Sequence, residues 1–169
     1  LSKEASRRGW IVLCSPRLTR LISDAIGDRW INDLSELKRL EPLAEDSQFR
    51  SQWRAIKHTN KCAFADFVTG CTGISIDPHS LFEVQVKRIH EYKRQHLNIL
   101  HVIALYHRLR SSPSAEMLPR TFIFGGKAAP GYRIAKLIIK LINAVGDVVN
   151  TDPAVRGQMK VVFLPNFNV

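Results

Sequence analysis

Arg120-Thr-Phe-Ile-Phe-Gly-Gly126 is the stretch whose reading decides the fold. Its β-prone run, ending in a glycine pair, predicts a strand. Upstream, Phe82, Val84 and Val86 alternate at period two and mark an earlier strand. Downstream, Met159-Lys-Val-Val-Phe-Leu164 marks a later one. Between the first two strands, Leu97 to Leu105 is apolar around most of its circumference apart from Asn98 and His101, as in a buried helix. Between the second and third, a helix from about Tyr132 to Val145 carries Ile134, Leu137, Ile138, Leu141 and Ile142 at helical spacing. Arg110 to Pro119 and Asp152-Pro153 are the intervening breaks. The alternation predicts an α/β fold: a Rossmann-like parallel sheet flanked by helices, built as βαβαβ over residues 79–169. Five residues follow the third strand. That portion is therefore expected to be cut at its C-terminal end.

Residues 1–78 read as a mostly helical entry segment. Trp10-Ile-Val-Leu-Cys14 is predicted to be extended and buried. Ser15-Pro16 then opens a helix bearing Leu18, Leu21, Ile22, Ala25 and Ile26, with Gly27 closing it. A short helix is expected over 33–40, ahead of Pro42. Phe49, Trp53, Ile56, Ala63, Phe64 and Phe67 mark one face of a long helix over about 46–69, ended by Gly70 and Gly73. Trp10 and Trp53 read most simply as core residues.

Composition excludes several classes. With 24% charged residues, nine glycines and eight prolines in 169 residues, the chain is neither collagenous nor of low complexity. No apolar stretch approaches the roughly 18 residues that a membrane span needs. The opening Leu1-Ser-Lys-Glu-Ala-Ser-Arg-Arg8 has no signal-peptide core, and its lack of a leading Met suggests a piece of a longer protein. Cys14, Cys62 and Cys71 form an odd set without CxxC spacing, so a reduced, cytoplasmic chain is expected. The 25 Lys and Arg exceed the 15 Asp and Glu by +10. Such a surplus suits anionic partners in general, including nucleic acid, acidic lipid and phosphorylated small molecules.

The position of the charge is more informative. In an open parallel sheet, ligands bind beyond the carboxyl ends of the strands. Here those ends are Val86 to Arg94, Gly125 to Tyr132 and Pro165 to Val169. Segment 87–110 holds six Lys and Arg against one acid, with Lys87, Arg88, Lys93 and Arg94 beside His90 at the strand-to-helix junction. Cations at a helix N-terminus lose about 0.3–1 kcal/mol each, and a bound phosphate or carboxylate reverses that sign. Arg88 offers a bidentate fork and Lys93 a point charge. The alternative is a solvated basic turn. Gly125-Gly126-Lys127 has the outline of a phosphate loop but lacks the P-loop spacer and its Ser/Thr. A tight turn needing φ > 0 is the simpler reading. His96, His101 and His107 are spaced five and six apart, which does not suit a shared metal, and no metal site is expected. No nucleophile elbow occurs. A nucleic-acid-binding module stays open on charge alone, without an RRM, KH or helix-turn-helix signature.

Longer stretches are specific. Val84-Gln-Val-Lys-Arg-Ile-His-Glu-Tyr-Lys-Arg-Gln95 resembles the signature of α-glucan phosphorylases, the glycogen, starch and maltodextrin enzymes. Arg120 to Tyr132, Ile138 to Pro153 and Lys160 to Val169 are similar to later segments of the same family, in order.

The resemblance implies a part of the C-terminal half of a two-domain GT-B glycosyltransferase. It implies phosphorolysis of terminal α-1,4-linked glucose to glucose 1-phosphate, with pyridoxal 5′-phosphate as cofactor and a homodimeric enzyme. Its partners would be an α-1,4-glucan and inorganic phosphate, with no nucleic acid. By motif position, Arg88 and Lys93 would hold the substrate phosphate, and Tyr92 would reach a sugar hydroxyl. Lys87, Trp10, Phe167 and Asn168 would lie on the cofactor side, with Phe167 and Asn168 replacing the tyrosine and arginine of other members. Tyr132 and His90 would stand at the cleft mouth. The Schiff-base lysine would lie beyond this chain, so the segment is expected to supply the phosphate-binding part and to be inactive alone. A catalytically dead phosphorylase remnant is the other reading.

Overall fold

The computed structural model of the chain describes residues 7–112 and 117–167. Contacts group the chain into two units, residues 1–63 and 64–169.

The second unit is an α/β sandwich. Strands β1 (Leu81–Val86), β2 (Arg120–Gly126) and β3 (Met159–Pro165) form a parallel sheet in that order, with Val84 opposite Ile123 and Ile123 opposite Val162. The crossovers are α4 (Gln95–Ser111) and α5 (Arg133–Thr151). Side chains alternate along β2. Phe122 and Phe124 join Ile99 and Val102 of α4 and Ile138 and Ile142 of α5 in one buried layer. Ile123 points the other way, into a second layer with Val162, Leu164, Ala65 and Val68. Covering both faces is what permits the unbroken apolar run at 122–124, because a parallel sheet is stable only when neither face meets water.

Several helices differ from the sequence reading. The helix expected from Tyr132 to Val145 extends to Thr151, since Val148 and Val149 continue the pattern. Leu97 and Leu100 of α4 are exposed, so that helix buries one face rather than most of its circumference. It also starts later than the cations, at Gln95. Residues Glu91–Lys93 form a separate 3-10 turn, and Arg94 between them adopts the left-handed conformation, with φ 58°. Helix α3 (Ser47–Thr72) runs through Gly70 and ends only at Gly73, whose φ of 71° suits a glycine.

In the first unit, α1 (Arg7–Cys14) replaces the strand expected over 10–14. A short apolar run does not itself distinguish strand from helix. Trp10 is 53% exposed, not in a core. The unit's buried residues are Ile22 and Ile26 of α2 (Pro16–Ile26) and Trp30, whose indole donates to Ser23 Oγ at 3.1 Å. Trp53 packs against them from the side. The segment expected as a short helix before Pro42 is a longer 3-10 run, Leu34–Ala44, that contains the proline. Asp33 caps it by accepting from the Ser35 N–H at 2.9 Å. That bond, with one from the Ser35 hydroxyl, holds the Asp33 carboxyl below the ordinary carboxylate range.

Candidate functional site

A cavity of about 440 Å³ opens at the carboxyl ends of the three strands. Lys87, Arg88 and His90 line it from the segment after β1, Lys127 and Ala128 from the segment after β2, and Phe167 from beyond β3. This is the edge at which the alternating topology predicts a ligand.

Its floor is main chain. The ladder between β1 and β2 continues past their ends, with the Lys87 N–H donating to Gly125 O at 3.0 Å and the Ile89 N–H to Lys127 O at 3.0 Å. Gly126 sits between these bonds at φ 153°, and a Cβ there would collide with the Lys87 carbonyl. The glycine pair ends strand β2 rather than forming the expected tight turn, and glycine is required at 126 by its positive φ and the close backbone approach.

Side-chain amides brace the turn that follows. Gln95 is fully buried; its Nε2 donates to the Arg88 carbonyl at 3.3 Å, and its Oε1 accepts from the His90 N–H at 3.4 Å. Gln85 Nε2 donates to the Lys93 carbonyl at 3.0 Å, and Asn98 Nδ2 donates to Gln85 Oε1 at 2.9 Å. Nothing in the sequence reading pointed to Gln85, Gln95 or Asn98. The one available signal was Asn98, a polar residue within an otherwise apolar helical run.

The electrostatics are one-sided. Lys87, Arg88 and Lys127 line the cavity; among the described residues no carboxylate lines it and none of the three cations forms an ion pair. Glu91 is the nearest acid in the chain sequence, and its Oε2 accepts from the Tyr132 hydroxyl at 2.5 Å. That bond, and then burial, raises the phenol above its ordinary pKa, so it stays a donor. The His90 ring lies 4.3 Å from that of Tyr92 and 5.0 Å from that of Tyr132, measured between centroids. Three cations beside an aromatic wall give the cavity the chemistry to attract an anionic group such as a phosphate. Among the described residues, no group of three or more His, Cys, Asp or Glu comes together to hold a metal, and no helix is long and apolar enough to cross a membrane.

A family model for carbohydrate phosphorylases matches residues 4–169. The chain belongs to the carbohydrate phosphorylase family. It is 57% identical over 162 residues to a glycogen phosphorylase of Synechocystis sp. (strain ATCC 27184 / PCC 6803 / Kazusa), covering 96% of this chain and 19% of that protein. It is 52% identical to the glycogen phosphorylase of Chlamydia pneumoniae, over 96% of this chain and 20% of the relative. It is 50% identical to the muscle form of Mus musculus, over 96% and 19% respectively. The chain thus spans about a fifth of the length of the curated relatives it matches.

The residues singled out by the phosphorylase resemblance are distributed unevenly. Lys87, Arg88, His90, Tyr132 and Phe167 share the cavity. Tyr92 and Lys93 belong to the adjoining 3-10 turn and are not part of its lining; the Lys93 Nζ lies 5.6 Å from the Tyr92 ring centroid. Trp10 belongs to the 1–63 unit. Asn168 lies outside the described residues. Lys127, which the sequence left as a turn residue, joins the lining.

Proposed function

We propose that this chain carries the phosphate-binding part of an α-1,4-glucan phosphorylase, an enzyme that transfers a terminal glucose to inorganic phosphate. The observation that carries the reading is the cavity lined by Lys87, Arg88 and Lys127, with no opposing carboxylate among the described residues. Relatives named glycogen phosphorylase support the substrate class. In this reading the sheet belongs to the second half of a two-domain GT-B glycosyltransferase that acts in the cytoplasm as a homodimer, and residues 1–78 lead into it.

The site's donor set also fits pyridoxal 5′-phosphate, because cationic side chains and an aromatic wall at Phe167 line the same cavity. Lys87 and Phe167 are the residues that would hold it. When bound, that group supplies a phosphate able to exchange a proton with the substrate phosphate. Arg88 grips the attacking phosphate through its fork, and Lys93 adds charge from the neighbouring turn. Tyr92 donates to a sugar hydroxyl, while His90 and Tyr132 form the rim. Trp10 is assigned to the cofactor side by sequence position.

The test is steady-state kinetics of the enzyme carrying this segment, with phosphate varied at saturating glucan. Arg88→Ala is expected to lower kcat/KM for phosphate by roughly two orders of magnitude. Unchanged phosphate kinetics would overturn the reading.

A further inference from the structure

We infer that Gln95 and Gln85 are positioning residues for phosphate: their side-chain amides fix the backbone from which Arg88 and Lys93 project. The inference rests on the phosphate-site reading above and adds the parts that set its geometry.

Three features of the turn carry it. First, the segment from Lys87 to Arg94 is neither strand nor α-helix; ladder bonds from the Lys87 and Ile89 N–H groups anchor its start, and side-chain donors meet the Arg88 and Lys93 carbonyls. Second, Arg94 takes a left-handed conformation that a β-carbon disfavours, so the turn is held in place by its surroundings. Third, two glutamine side chains contact that turn at its two ends. Gln95 bonds the Arg88 carbonyl and the His90 N–H with one amide, and Gln85 bonds the Lys93 carbonyl. Asn98 in turn donates to Gln85 Oε1, which fixes which face of that amide is the donor.

Gln95 is suited to this by chemistry as well as place. A carboxylate would lack the donor that the Arg88 carbonyl requires, and a hydrocarbon would supply neither partner. The side chain is wholly enclosed, so no bulk water substitutes for it. An arginine fork must match phosphate geometry, and a displacement on the order of 1 Å is enough to lose much of its effect. The two amides thus convert backbone position into cation position.

Gln95→Met and Gln85→Met remove the amides while keeping the charge of Arg88 and Lys93 and most of the volume. Each is expected to raise the phosphate KM roughly tenfold while leaving the glucan KM near wild type. The control is Asn150→Leu. Asn150 makes the same kind of paired amide contact, to the N–H and carbonyl of Val161, but it does not line the cavity. It should lower thermal stability without moving the phosphate KM. Arg88→Ala, measured alongside, separates the two failures. If Arg88→Ala weakens phosphate use and neither glutamine variant does, the positioning role is wrong and the phosphate site stands. If Arg88→Ala has no effect, the site itself is wrong. A phosphate KM that rises equally in Asn150→Leu would show loss of stability rather than positioning, and would overturn the inference. Should one glutamine variant fail to fold, the other carries the same test.

Discussion

The Tyr106 hydroxyl donates a 2.7 Å hydrogen bond to Asp152 Oδ2, tying the middle of α4 to the end of α5. Arg110 Nε lies 3.5 Å from that same oxygen, and Asp152 Oδ1 caps the next turn by accepting from the Ala154 N–H at 2.8 Å. The Tyr106 bond first, and the Ala154 bond next, hold the Asp152 carboxyl below its ordinary value. The same bond raises the Tyr106 phenol.

The sign of the pH dependence follows. A depressed carboxyl means that the unfolded chain takes up the proton first as pH falls. The stabilisation is complete above the ordinary carboxylate range, about pH 4, and is lost below it. The raised phenol acts at the other end: its contribution is present below about pH 10 and is lost as pH rises further. Tyr106→Phe should therefore be less stable than wild type at neutral pH, with the gap closing in both acid and alkali. Thermal midpoints from pH 2 to 11 check this, and a constant gap would contradict it.

Gly126 and Gly70 should respond oppositely to alanine. A Cβ at Gly126 collides with the Lys87 carbonyl, whereas nothing lies within 4 Å of the one at Gly70 inside α3. Gly126→Ala is expected to destabilise by about 3 kcal/mol. Gly70→Ala should be neutral or stabilise by up to about 1 kcal/mol, through helix propensity. Urea denaturation of the two variants side by side gives the comparison.

Arg88→Lys separates charge from shape. Lysine keeps the cation but loses the two-pronged match to phosphate. Its phosphate kcat/KM should fall between wild type and Arg88→Ala, with most of the loss retained. Recovery to wild-type values would mean that charge alone matters at this position.

Tyr132→Phe should weaken phosphate use by an indirect route. Removing the hydroxyl releases the Glu91 carboxylate from its 2.5 Å partner. That carboxylate is then available to the cavity cations and competes with the anion. A phosphate KM several-fold above wild type is expected, with recovery when Glu91→Gln is added. Persistence of the defect in the double variant would place the role of Tyr132 elsewhere.

The three strands and both crossover helices were legible because residues 79–169 keep a two-state grammar: short β-prone runs, then long 3.6-period faces. The edge at which the cation-lined cavity opens was legible too, since topology names the strand ends and the charges cluster there. What escaped was non-periodic. Trp10 to Cys14 is too short for periodicity to distinguish helix from strand, and Gly70 sits inside a helix that neighbouring residues sustain. The left-handed Arg94 and the separate 3-10 turn at Glu91–Lys93 leave no mark in a hydrophobic pattern. Gln85, Gln95 and Asn98 act through the three-dimensional meeting of strand, turn and helix, which no linear spacing displays.

The backbone floor at Gly126 also limits how the cavity can diversify. Where a pocket's base is made of side chains, single substitutions can deepen it, fill it or change its polarity. Here the base is peptide groups pressed against the Lys87 carbonyl, with no room for a side chain. Variation in the lining is therefore left to the side chains around that base, such as those at the rim positions Ala128, Ala129 and His90. A small molecule that seeks selectivity between related enzymes would find it by growing outward across those rim positions, because the floor offers the same shape in every variant that folds.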